Sequence, residues 1–133
     1  MAHILVVDDD RAIVGMLAKL LSRAGHRVTV SESGRDALKK LGIEPDDPSA
    51  DLPELLLLDI MMPDVDGYSV GAKIRDQERT RGIPIVVVSA LRDLSPTFNS
   101  TVKVEGVLTK PFSPEDLLAL VAKTLAARAQ HKD

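Results

Sequence analysis

Cysteine is absent from this 133-residue chain, which excludes a disulfide framework, a thiolate nucleophile and zinc-finger spacing. Aromatic side chains are nearly missing as well. Tyr68, Phe98 and Phe112 are the only three, so there is little material for stacking on nucleobases or for an aromatic ligand cage. The 17 basic and 20 acidic residues leave a formal charge of −3, and the basic ones form no stripe, which argues against direct nucleic-acid binding. No apolar run approaches the ~18 residues that a membrane span needs. The start Met1-Ala-His-Ile-Leu-Val-Val lacks the basic n-region of a signal peptide. The expectation is a cytoplasmic protein with no membrane contact, folded as one domain over residues 1–133 with a frayed tail at 128–133.

What is present organises itself around Glu54-Leu-Leu-Leu-Leu-Asp59. Four leucines are too uniformly apolar for a half-exposed strand and read as a central strand buried on both faces. Asp59 follows where the chain leaves the sheet interior. Three other runs have the same form. His3-Ile-Leu-Val-Val7 leads to Asp8-Asp9-Asp10, Ile83-Pro-Ile-Val-Val-Val88 to Ser89-Ala90, and Gly106-Val-Leu-Thr109 to Lys110-Pro111. Arg27-Val-Thr-Val30 completes a set of five strands.

Helical segments alternate with these strands. Asp10 or Arg11 opens a helix with Ile13, Val14, Leu17, Leu20, Leu21 and Ala24 at the 3.6-residue period, ended by Gly25. Ser33-Gly-Arg-Asp36 has capping-box spacing before a short helix that stops at Gly42. Residues 43–53 carry Pro45, Pro48 and Pro53 among four acids; they read as a solvated loop at the N-terminal edge of the strands. A third helix is expected from Tyr68 to Glu78, and a short, frayed fourth between Ser95 and Glu105. Ser113-Pro-Glu-Asp116 caps a last helix buried along Leu117, Leu118, Val121 and Leu125. The alternation predicts an α/β fold: a doubly wound, five-stranded parallel sheet with helices on both faces, in the flavodoxin-like order 2-1-3-4-5 known for such sheets.

That order puts the first and third strands side by side, so Asp8, Asp9 and Asp59 crowd at one rim. Three ionised carboxylates at such range repel each other unless a cation holds them. Oxygen-only ligands with room for water suit Mg²⁺. Lys110 offers an ammonium and Ser89 a hydroxyl for the charge of a phosphoryl group. Asp59, alone at the centre, is the candidate nucleophile, which leaves Asp8 and Asp9 for the metal.

Taken together, Val7-Asp8-Asp9, Leu58-Asp59-Ile-Met-Met-Pro63 with Asp66-Gly67, Ser89-Ala90 and Lys110-Pro111-Phe112 resemble the receiver domain of bacterial response regulators over essentially the whole chain. The resemblance implies that Asp59 accepts a phosphoryl group from a histidine kinase or a histidine phosphotransfer protein in two-component signalling. It implies Mg²⁺ ligated by Asp9, Asp59 and the backbone carbonyl of Met61, with Asp8 acting mainly through a bound water. Ser89 and Lys110 would bind the phosphoryl oxygens, and the protein would be a signalling phosphoacceptor, not an enzyme acting on other substrates. Two departures concern output. Val107 stands where the family usually has Tyr or Phe, and the fourth helix is eroded. A stand-alone receiver and a part of a longer regulator fit equally well. Two rival readings are a pseudo-receiver that binds partners without being phosphorylated, and a hydrolase of the haloacid-dehalogenase type using Asp8-Asp9-Asp10. Against the second, Ala12 stands where that family expects Thr or Val.

Overall fold

The computed structural model describes residues 2–62, 65–90 and 103–130. Five parallel strands, β1 (His3–Val7), β2 (Arg27–Ser31), β3 (Leu55–Leu58), β4 (Ile85–Ala90) and β5 (Gly106–Lys110), form one sheet in the order β2-β1-β3-β4-β5. Four helices are found among the described residues: α1 (Arg11–Arg23), α2 (Gly34–Lys40), α3 (Gly67–Asp76) and α4 (Pro114–Gln130). The short helix expected between Ser95 and Glu105 falls largely on residues 91–102, which lie outside the described residues.

Alternation along the strands builds two apolar layers. Leu5, Val7, Leu56, Leu58, Ile85 and Val87 point to the face covered by α2 and α3. Ile4, Val6, Leu55, Leu57, Val86 and Val88 point to the face covered by α1 and α4. Both faces being dry is the reason β3 can consist of four leucines, each buried to 1% exposure or less.

Polar residues set the helix starts. The Asp10 carboxylate accepts from the N–H groups of Ala12 at 3.0 Å and Ile13 at 3.3 Å. Ser33 Oγ accepts from Asp36 N–H at 3.0 Å, Asp66 from Ser69 N–H at 2.8 Å, and Ser113 Oγ from Asp116 N–H at 3.1 Å. Each satisfies an N–H that the helix itself leaves unpaired. Gly25 ends α1 with a φ of 95°, a left-handed conformation that glycine adopts without penalty.

Several element boundaries differ from the sequence expectation. β4 and β5 run on through Ser89-Ala90 and Lys110, because Ser89 pairs with Thr109 and Ala90 with Lys110 beyond the apolar run. α3 starts at Gly67 and stops at Asp76, where Gln77 turns extended. α4 continues to Gln130 where fraying was expected from Arg128, and Arg128 Nη1 donates to the Glu54 carbonyl at 3.3 Å. The loop at 43–53 does lie at the N-terminal edge, yet it is pinned to the domain and not merely solvated. Ile43 is buried and Leu52 packs on the core, while Arg79 meets Asp46 at 2.6 Å, Lys73 meets Glu44 at 2.6 Å and Arg27 meets Asp51 at 2.9 Å.

Candidate functional site

The parallel ladder itself delivers two acids to the C-terminal rim. Asp8 N–H donates to the Ser31 carbonyl at 3.1 Å and Asp59 N–H to the Val7 carbonyl at 2.9 Å, so each extends its strand by one rung. Asp8 is 1% and Asp59 6% exposed, whereas Asp9, on the next position, is exposed. One carboxylate oxygen from each of Asp8, Asp9 and Asp59 lies within 4.8 Å of the other two. Among the described residues no other group of acids or histidines gathers this way, those of the 43–53 loop included. Asp10 is absorbed by capping α1, and its N–H donates to Asp8 Oδ1 at 2.9 Å.

Ser89 and Lys110 arrive from β4 and β5. Ser89, fully buried, donates its hydroxyl to Asp59 Oδ1 at 3.2 Å. Lys110 Nζ donates to Asp8 Oδ2 at 2.9 Å and lies 3.8 Å from Asp59 Oδ2. The ammonium thus sits on Asp8 first and on Asp59 second. The peptide between Lys110 and Pro111 is cis. Met61 leaves its side chain 57% exposed and turns its N–H to the Asp59 carboxylate.

Electrostatics follow from this packing. Burial, and next the neighbouring charge of Asp8, push the Asp59 carboxyl up to about 6, although Lys110, Ser89 and the Met61 N–H pull the other way. For Lys110, burial favours the neutral amine, but the hydrogen bond and charge of Asp8, helped by Asp59 and Asp10, outweigh it and raise the ammonium above its usual value. The rim therefore holds a partly compensated negative charge beside a preformed hydroxyl and ammonium. An oxygen-only donor set of this kind suits a small hard cation such as Mg²⁺.

One supporting residue entered the sequence reading only as part of the Asp66-Gly67 pair, with no role of its own. Gly67 donates its N–H to the Ile60 carbonyl at 2.7 Å, and a β-carbon there would come within 2.5 Å of the Asp59 carbonyl and 2.6 Å of Ile60 Cα. Only a glycine lets the start of α3 press against the backbone that carries Asp59. The Asp66-Gly67 pair in the loop that follows Asp59 was the available signal. Val107 sits on β5 opposite Val87 and is 42% exposed, so the position expected to carry an aromatic holds a small, half-open side chain.

A doubly wound sheet with paired acids, a hydroxyl and a lysine at its C-terminal rim defines the receiver class of signalling domains. Residues 4–122 match the family described as response regulator receiver domain, and the chain belongs to it. It is similar to the transcriptional regulatory protein GltR of Pseudomonas aeruginosa, 38% identical over 96% of this chain and 50% of the relative. The chain spans about half the length of this and other curated bacterial regulators it matches. Among solved structures it resembles a response regulator from Chloroflexus aurantiacus, at 31% identity and a TM-score of 0.82 over 94% of this chain and 98% of the other. It also resembles the receiver domain of a sensor histidine kinase from Pseudomonas aeruginosa PAO1, which holds a magnesium ion in its active-site cleft. That likeness is 25% identical with a TM-score of 0.80, over 94% of this chain and 98% of the other. No helix among the described residues is long and apolar enough to cross a membrane.

Proposed function

We propose that this chain is a phosphoacceptor: Asp59 takes a phosphoryl group from the phosphohistidine of a histidine kinase or a histidine phosphotransfer protein, and the modified domain switches its binding to a downstream protein. The observation that carries the reading is the setting of the Asp59 carboxylate, with Ser89 Oγ at 3.2 Å and Lys110 Nζ at 3.8 Å beside the buried Asp8. An oxygen of Asp59 attacks phosphorus as the P–N bond to the imidazole breaks, and the leaving histidine takes up a proton. Ser89 and Lys110 then turn their donors from the carboxylate to the phosphoryl oxygens, where negative charge has accumulated. Asp9, Asp59 and the Met61 carbonyl would hold Mg²⁺, with Asp8 contributing through a water. When bound, the ion supplies the charge neutralisation that these acids and a phosphoryl group require together.

This reading places the domain in the cytoplasm and assigns any contact with DNA to a partner or a further domain, since residues 1–133 carry a formal charge of −3. In it Asp8 is a supporting acid and not a hydrolase nucleophile; its carboxylate accepts from Lys110 at 2.9 Å and from the Asp10 N–H at 2.9 Å. The test is mass spectrometry of protein incubated with Mg²⁺ and acetyl phosphate. One phosphoryl adduct is expected on the wild type and none on Asp59→Asn. Absence of any adduct on the wild type would support a pseudo-receiver, and an adduct surviving in Asp59→Asn would move the chemistry to another residue.

A further inference from the structure

At the sheet edge opposite Asp59, the residues leading into β4 and β5 and the C-terminal half of α4 line a half-open cavity of about 560 Å³. Volumes of ~300–1,000 Å³ accommodate small organic ligands. Its apolar walls are Pro84, Leu120 and Ala127, all aliphatic. A β-carbon at Gly82 would meet nothing within 4 Å, so space stays open beside that residue as well.

The polar part of the lining is one-sided. Lys103, Lys123 and Arg128 supply three cations. Arg128 is partly engaged, donating to the Glu54 carbonyl at 3.3 Å with the Glu54 carboxylate 3.9 Å away. Lys103 and Lys123 make no ion pair among the described residues. The one acid of the lining, Glu105, is already used: its Oε1 accepts from Arg75 Nη2 at 3.1 Å and from Ile85 N–H at 2.7 Å. Thr124 gives its hydroxyl proton to the Leu120 carbonyl at 2.7 Å and has none left for a ligand. The cavity therefore offers uncompensated positive charge over an aliphatic floor. With no aromatic side chain in the lining, it has nothing on which a nucleobase would stack.

We propose that this cavity binds a small aliphatic carboxylate, its head group towards Lys103 and Lys123 and its hydrocarbon body against Leu120, Ala127 and Pro84. The site shares no residue with the Asp59 rim and does not depend on phosphotransfer. Octanoate is the probe. Titrated into ¹⁵N-labelled protein, it is expected to shift the amides of Gly82, Leu120, Thr124 and Ala127 along one saturating curve. Octanol, which lacks the charge, and acetate, which lacks the chain, should each bind at least tenfold more weakly. The double variant Lys103→Glu/Lys123→Glu should weaken octanoate by about tenfold or more. Both lysines are exposed, so its spectrum should otherwise match the wild type. Linear, non-saturating shifts, equal binding of octanol, or unchanged affinity in the double variant would overturn the proposal. Saturable binding of an acidic helical peptide where octanoate fails would overturn it too, in favour of a protein partner.

Discussion

At the C-terminal edge of the sheet two buried carboxylates, Asp8 and Asp59, share the single ammonium of Lys110. At the N-terminal edge the Arg75 guanidinium, 17% exposed, makes five hydrogen bonds: two to the Lys103 carbonyl, one each to those of Arg81 and Ile83, and one to Glu105 Oε1. The first edge keeps charge in excess of its partners, and the second matches one charge with acceptors from four residues. Neutralising a side chain should therefore have opposite signs at the two edges.

The largest effect is expected at Arg75. Arg75→Ala removes the group that ties the end of α3 to the residues preceding β4 and β5, and it leaves the part-buried Ile83 carbonyl and the exposed Arg81 and Lys103 carbonyls without this donor. The expected loss is about 2–3 kcal/mol of unfolding free energy, read from the urea midpoint. Arg75→Lys should recover only part of it, because an ammonium lacks the planar fork that reaches several carbonyls at once. An Arg75→Ala protein as stable as wild type would mean that this edge is held by packing alone.

The next effect has the reverse sign. In metal-free protein, Asp59→Asn should raise stability at pH 7 by about 1–2 kcal/mol, a range discounted for solvent at the rim. The folded Asp59 carboxyl, at about 6, lies above the ordinary value of 3.8, so the native state holds this proton more tightly than the unfolded chain. Its contribution is fully present below about pH 4 and is lost as pH rises through about 6. With EDTA present, the wild type should lose stability across that window relative to Asp59→Asn, and the two curves should converge on the acid side. Parallel curves would show that burial and the charge of Asp8 do not burden this carboxylate.

A smaller gain, about 0.5 kcal/mol or less, is expected for Asp9→Asn under the same metal-free conditions. The sequence placed Asp8, Asp9 and Asp59 together at one rim, and they do gather there, but they differ in burial. Asp9 is exposed and water screens it, while Asp8 and Asp59 are buried. If Asp9→Asn matched Asp59→Asn, the contrast between buried and screened acids within the rim would collapse.

These cases mark what could be read from residues alone. Period and apolarity announced all five strands: the run Leu55 to Leu58 read as central, and the caps Asp10, Ser33 and Ser113 stood at the helix starts. The rim followed from topology, since the order 2-1-3-4-5 sets the end of β1 beside the end of β3. Strand ends were misplaced at Ser89 and Lys110 because a ladder is defined by a neighbour's backbone and not by apolarity. The pinned loop depended on Arg27, Lys73 and Arg79, which lie 24 to 33 residues from their acids. Nothing local reveals such pairs. The preference of Lys110 for Asp8 over Asp59 is likewise a matter of about 0.9 Å between two contacts, a distinction that spacing in the chain does not carry.

The smallest predicted effect is kinetic and concerns Met61, within the proposed phosphotransfer chemistry. Loss of an acyl phosphate from Asp59 needs a water attacking in line, and a polar side chain beside that path would help to hold it. Met61 is two residues beyond Asp59 and 57% exposed, so it stands at the rim where such a water would enter. Its thioether is at best a weak acceptor and donates nothing. Leu91, the other residue expected beside the path, lies outside the described residues. Replacing Met61 by Asn adds a donor and an acceptor without touching Ser89, Lys110 or the acids. The expected result is a phosphoryl lifetime shortened about twofold, ~0.4 kcal/mol of barrier, measured as adduct loss at fixed Mg²⁺. Its half-open position is the reason the effect should be small: a side chain that solvent can bypass excludes water incompletely, so most of the lifetime is set by the Asp59 surroundings. Equal decay of wild type and Met61→Asn would assign all of it to those buried groups.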